Sequence, residues 1–243
     1  MVVQPGRKSL SAIVLVDQAS GKRSIMVGKT TCDDLAPEEI NAGAVEEAKV
    51  LHLDGTIGTD AAAVVAAERA RAAGVTVVLD ADNCSIDPDA RPGRDCKRAH
   101  LRRLIALSDV VIASESFAEK YSTSLRLAVD PAAAVGLLRG AGPTTVLVTL
   151  GEKGGVGEAE GRAFRYSAYS VEVVDTTGAG DVFHGAYIHG MLAGWGLERR
   201  VQFASAVAAM KCRKLGGRTG IPTVEEAEAF IVERGGEFVI AFD

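Results

Sequence analysis

The chain has 243 residues, 47% apolar side chains and a net charge of −5, which suits one large domain or a domain with a small appendage. It lacks the dense basic stripe of a nucleic-acid binder, any apolar run of membrane-spanning length, and an apolar signal segment in residues 1–11. Cys32, Cys84, Cys96 and Cys212 are scattered without a C-x-x-C pair, so reduced thiols in a cytoplasmic protein are expected rather than disulfides or a zinc site.

The N-terminal segment predicts two short strands, 10–17 and 22–27, joined by the turn residues Gln18 to Gly21. Such a hairpin is marginal alone and must lie on something. Gly28-Lys29-Thr30 is the tail of a phosphate loop only if a glycine stands five positions earlier; position 23 is Arg, and no helical pattern follows at once.

From Val50 the pattern becomes regular. Strands are expected at 50–54, 75–80, 109–113 and 145–150, and helices at 60–73, 100–107 and 115–121. Asp130-Pro131 reads as an N-cap with proline at the first helical position, opening a helix to Arg139. A polar hairpin then leads to a strand at 170–174. Three helices fill the C-terminal third, the last two over 198–214 and 223–233. Lys211, Arg213 and Lys214 crowd one helix end, where cations complement the dipole. The four histidines have no metal-ligand spacing. His184 and His189, five apart, fall off a common helix face.

Alternating strands and helices argue an α/β fold: a mainly parallel central sheet with helices on both faces, plus a small β hairpin. Ligands of such sheets bind beyond the carboxyl ends of the strands. Asp54, Asp80, Ser114, Thr149 and Asp181 sit at those ends and outline one rim.

The chain is organised around Val174-Asp175-Thr176-Thr177-Gly178-Ala179-Gly180-Asp181. Small residues let a ligand approach the backbone, and the N–H groups that open the next helix attract an anion. Asp181, a carboxylate beside that anion, is useful as a base that takes a proton from an attacking hydroxyl. A plain helix-capping Asp would need one oxygen, not two glycines flanking an alanine. A dinucleotide fingerprint fails at Phe183, with no acidic residue at the proper strand end.

Residues 175–181 resemble the D-T-x-G-A-G-D signature of the ribokinase-like (PfkB) carbohydrate kinases, without departure, and the likeness extends from about Ser9 to the C-terminus. It implies ATP-dependent phosphoryl transfer to a hydroxyl of a small sugar or sugar derivative. Asp181 would be the base and would touch the substrate; Gly178, Ala179 and Gly180 would form the anion hole. Val148 to Gly154 resembles the family's V-T-x-G-x-x-G nucleotide loop, giving Thr149, Gly151 and Gly154 to ATP. Residues 210–222 resemble the segment around the adenine, with Gly217 in it and Ser205 where the family often has Asn. Asp175 and Thr177 match positions that bind a monovalent cation, usually K+. Asp54 matches an acidic sugar contact. The hairpin resembles part of a lid, dividing the chain into a partial β lid (1–30) and a nucleotide-binding and catalytic core (31–243). Family lids often pair between subunits, so a homodimer through the lid is expected.

Two departures stand out. Ser114-Glu115-Ser116-Phe117 occupies the place of the N-x-x-E element linked to Mg2+, leaving Glu115 as the substitute magnesium contact. Nothing in residues 1–40 matches the family's early Asp and G-G-x-x-x-N segment, so a truncated or reduced member is expected. Two other readings stay open: a nucleoside kinase of the same family, and a non-catalytic nucleotide-binding member.

Overall fold

The computed structural model describes residues 3–9, 11–17, 23–28, 35–54, 60–81, 95–124 and 130–243. The expected hairpin turn at 18–21, Lys29, Thr30, Cys32 and Cys84 lie outside them. The chain forms two compact units, Met1–Asp34 with Ser167–Val239, and Leu35–Tyr166 with Ile240–Asp243.

In chain order the elements are β1 (Ala12–Val16), β2 (Arg23–Val27), α1 (Ala42–Glu46), β3 (Val50–Asp54), α2 (Asp60–Ala72), β4 (Thr76–Ala81), α3 (Asp95–Leu107), β5 (Val110–Ser114), α4 (Glu115–Ser124) and α5 (Pro131–Gly140). They continue with β6 (Thr145–Thr149), β7 (Gly155–Ala159), β8 (Arg162–Tyr166), α6 (Ala179–Leu192), α7 (Leu197–Lys211), α8 (Val224–Glu233) and β9 (Ile240–Phe242).

The second unit holds a seven-stranded sheet in the order β3-β4-β5-β6-β7-β8-β9. Strands β3 to β6 are parallel and the remaining pairings antiparallel. Val77, Leu79, Val111, Val146 and Val148 enter one core with Ala66, Ala70, Leu104, Ile105, Phe117 and Leu138 from α2 to α5. Val78, Ile112 and Leu147, on the other face, are buried too. Burial on both faces explains why these parallel strands read as continuous apolar runs. Asp130 caps α5 as expected, accepting from the N–H groups of Ala132 and Ala133. In register, Asp54 stands beside Asp80 and Ser114 beside Thr149 at the carboxyl ends.

The first unit holds the antiparallel β1–β2 hairpin and the packed helices α6, α7 and α8. Tyr169 meets Phe230 edge-on, with ring centroids 5.2 Å apart, in a small core with Ala206. Thr223 and Glu226 form a capping box on α8. Ile13, Leu15, Ile25 and Met26 of the hairpin are all exposed. The expected strand at 170–174 does not form: among the described residues no strand pairs with it, and Val173 and Val174 are exposed. Strand β9, three residues long, carries no sequence signal of its own and is defined by its pairing with β8.

Candidate active site

In the first unit, the signature turn is fastened to the end of α7. The N–H groups of Val174 and Asp175 donate to the Cys212 carbonyl at 2.8 and 3.1 Å. Asp175 is 1% exposed. Its Oδ1 accepts from the Thr177 N–H and its Oδ2 from the Gly216 N–H, both at 2.8 Å. One carboxylate thus shapes the turn and ties it to the loop after α7. Burial pushes the Asp175 carboxyl up. Hydrogen bonds from the Thr177 and Gly216 N–H groups, together with the Lys211 ammonium, outweigh that and hold it below the ordinary value.

Lys211, expected as a cation complementing the dipole at a helix end, is fully buried. Its Nζ donates to the Asp175 carbonyl at 2.8 Å. The signal was available: Lys211 continues the helical spacing of Ala204, Val207 and Ala208, the apolar side of α7.

Gly178 is the N-cap of α6 in the left-handed region, φ +78°, with no side-chain cap. A Cβ there would lie 2.8 Å from the Gly217 carbonyl oxygen. Only glycine meets both constraints. The Ala179 N–H donates to the Thr176 carbonyl at 3.1 Å, and the first helical bond runs from the Val182 N–H to the Gly178 carbonyl. Among the described residues the N–H groups of Gly180 and Asp181 have no backbone partner, as expected for a first helical turn.

Asp181 is exposed and lines a cleft of about 590 Å³ with Thr177, Gly178, Gly217 and Arg218. Val182, Ala186, Phe203, Val207, Ile221, Pro222 and Val224 give the cleft apolar walls. The structure therefore brings Thr177, Gly178, Asp181 and Gly217 together. Ser205 is buried on α7, two residues from each of Phe203 and Val207, and is not a lining residue.

The second unit carries the other expected residues. Thr149 ends β6, its hydroxyl donating to the Ala113 carbonyl at 3.3 Å. Gly151 (φ +60°) and Gly154 (φ +85°) bracket a tight turn. Within it Lys153 reaches Glu115 at 3.4 Å. Glu115 opens α4, and the preceding Ser114 hydroxyl accepts from the Phe117 N–H at 3.1 Å. Phe117 is fully buried and stacks on Tyr121 at 5.7 Å. The departures from the family pattern thus serve as a helix cap and a core side chain. Asp54 is exposed at the end of β3.

The Asp175 oxygens assigned to a monovalent cation are already engaged. The Asp175 carbonyl already carries an ammonium, and both carboxylate oxygens accept N–H donors. Thr177 Oγ1 is buried and has no hydrogen-bond partner among the described residues. A second cation about 4 Å from the ammonium would be repelled by about 4 kcal/mol at an effective dielectric constant of about 20.

The pfkB family carbohydrate kinase model matches residues 1–224. The chain is 29% identical over 211 residues to 5-dehydro-2-deoxygluconokinase of Shouchella clausii, a match covering 82% of this chain and 61% of that protein. It is 27% identical over 231 residues to ribokinase of Haemophilus influenzae, covering 94% of this chain and 67% of that protein. The crystal structure of a ribokinase from Thermotoga maritima matches with a TM-score of 0.76 at 25% identity, over 95% of this chain and 72% of that one. The mixed sheet, its helices and the small hairpin sheet thus form a ribokinase-like fold.

Proposed function

The chain belongs to the pfkB family of carbohydrate kinases, and from that premise we propose that it transfers the γ-phosphoryl group of ATP to a hydroxyl of a small sugar or sugar derivative. The observation that carries this reading is the start of α6. There a left-handed glycine, a helix N-terminus and the Asp181 carboxylate line one cleft. The cleft's apolar lining suits a flat nucleoside base, and the glycines and Arg218 that also line it suit phosphates.

In the reaction, Asp181 takes the proton of the substrate hydroxyl as that oxygen attacks the γ-phosphorus. The bond from phosphorus to the bridging oxygen breaks, and ADP leaves with that electron pair. Gly178, Ala179 and Gly180 hold the charge of the transferring group at the helix N-terminus. The same proposal gives Thr149, Gly151, Gly154 and Gly217 to the nucleotide and Asp54 to the sugar; Ser205, buried away from the cleft, drops out of the nucleotide set. Glu115 is the residue proposed to hold a magnesium ion, which, when bound with the nucleotide, would neutralise charge on the phosphates and would need only one or two carboxylates.

The protein is proposed to work in the cytoplasm and to pair through the hairpin. Among the described residues no helix is long and apolar enough to cross a membrane. The exposed Ile13, Leu15 and Met26 offer an apolar surface for a second copy.

One observation favours a second reading, a non-catalytic nucleotide-binding member: Phe117, at the place of the family's Glu, is core rather than ligand. One assay separates the two. ADP release is followed with ATP and Mg2+ over a panel of ketoses, aldoses, sugar acids and nucleosides, beside Asp181→Asn. Acceptor-dependent ADP that falls by about 10²–10⁴ in the variant is expected. Unchanged turnover in the variant would remove Asp181 from the reaction. ADP binding without turnover on any acceptor favours the second reading, and a nucleoside as the productive acceptor would make the chain a nucleoside kinase.

A further inference from the structure

We propose, on the kinase reading above, that the buried Lys211 ammonium takes the place of the monovalent cation at the signature turn, so that nucleotide binding and phosphoryl transfer need no potassium. The ammonium and a potassium ion offer the same thing to a carbonyl: a compact positive charge. Here the group that carries the charge is tethered to the chain and cannot diffuse away. Its one hydrogen bond among the described residues goes to the Asp175 carbonyl at 2.8 Å, three residues before Gly178.

The surroundings are built for this arrangement. An ammonium removed from water needs a countercharge and a hydrogen bond. The Asp175 carboxylate supplies the first and the Asp175 carbonyl the second. The lysine stem leaves α7 on its apolar side, in line with Ala204 and Val207, both buried, so packing holds the charge in place. Gly220 packs against the backbone of the helix end that carries the lysine. A Cβ there would lie 2.5 Å from the Lys211 carbonyl oxygen and 3.1 Å from its Cα. That contact leaves no room for a side chain at 220 and fixes the helix end from which the lysine projects.

Lys211 is thus a positioning residue for charge at the anion hole, and its removal has a signature that a merely structural lysine lacks. The test measures ADP affinity with Mg2+, and the melting temperature, in potassium chloride and in tetramethylammonium chloride at equal ionic strength. For the natural chain both readouts are expected to agree between the salts, the affinity within about threefold. A larger gain in potassium, or a melting temperature raised by more than about 2 °C, overturns the proposal.

Two variants extend the test. Lys211→Ala opens the space and is expected to lose ADP affinity about tenfold, recovered by potassium or ammonium ions and not by tetramethylammonium. Lys211→Met fills the space and should lose affinity without recovery. A folded Lys211→Ala that keeps full affinity, or one that no small cation rescues, overturns the proposal. If neither variant folds, the natural chain decides. If that chain binds no ADP, the kinase reading fails at this point, and the melting comparison alone settles whether potassium is bound.

Discussion

Gly178 and Gly217 lie so close that a Cβ on the first would stand 2.8 Å from the carbonyl oxygen of the second. Both line the cleft with Asp181. The start of α6 and the loop after α7 are therefore positioned by backbone against backbone, and no flexible side chain can yield. Gly178→Ala adds a methyl to that contact at a φ of +78°. A loss of about 1–3 kcal/mol in urea unfolding is expected, together with weaker ADP binding. A variant as stable as the natural chain with unaltered ADP affinity would show that the approach is not needed.

The pairing of Asp175 with its donors gives stability a definite pH dependence. The carboxyl is held below its ordinary value of 3.8 in the folded chain. A depressed folded value contributes stability that is fully present above the unfolded value and is lost as pH falls through the folded one. Asp175→Asn should therefore be destabilised most above about pH 4, with the gap to the natural chain narrowing in stronger acid. Denaturation midpoints for both chains across this range check the sign. A gap that widens on acidification contradicts it.

Much of this architecture is legible in the sequence where local chemistry decides it. Val50–Asp54 lies between clear boundaries, and Asp130 before Pro131 marks a helix start by capping alone. The turn at 175–181 is readable because glycine spacing and a carboxylate leave few plainer roles. The alternating residues 170–174 mislead, because alternation reports which side is apolar and not whether a strand is available to pair. Strand β9 is set by its partner β8. Lys211 was hidden by the usual meaning of a cation at a helix end, although its spacing on α7 pointed inward. Ser205 illustrates the limit of alignment by position. Two residues along a helix is about 200° of rotation, so it cannot share the cleft-facing side of Phe203 and Val207.

The replacement of the family's Glu by Phe117 is tied into the core. Phe117 is fully buried and stacked on Tyr121, and its N–H is bonded to the Ser114 hydroxyl. Restoring the family residue should fail: Phe117→Glu places a carboxylate in an apolar core and is expected to prevent folding. Phe117→Leu, which keeps an apolar side chain, should fold and lose about 1–3 kcal/mol. Circular dichroism and thermal melts distinguish the two. A well-folded Phe117→Glu that also turned over faster with Mg2+ would return the position to the magnesium site.

Gly185 separates the role of the cleft from the stability of the helix that lines it. It lies mid-helix in α6, is exposed, and lines the cleft; a Cβ built on it meets nothing within 4 Å. Gly185→Ala removes a helix-weakening glycine and should raise stability by up to about 1 kcal/mol. Gly185→Leu keeps the propensity gain and fills the cleft with a branched side chain. Its melting temperature should match or exceed that of the natural chain while ADP affinity falls about tenfold or more, since lost pocket volume acts on the ligand and not on the fold. Retained ADP affinity in a stable Gly185→Leu would mean that the nucleotide base lies elsewhere, and the assignment of this cleft would have to be abandoned.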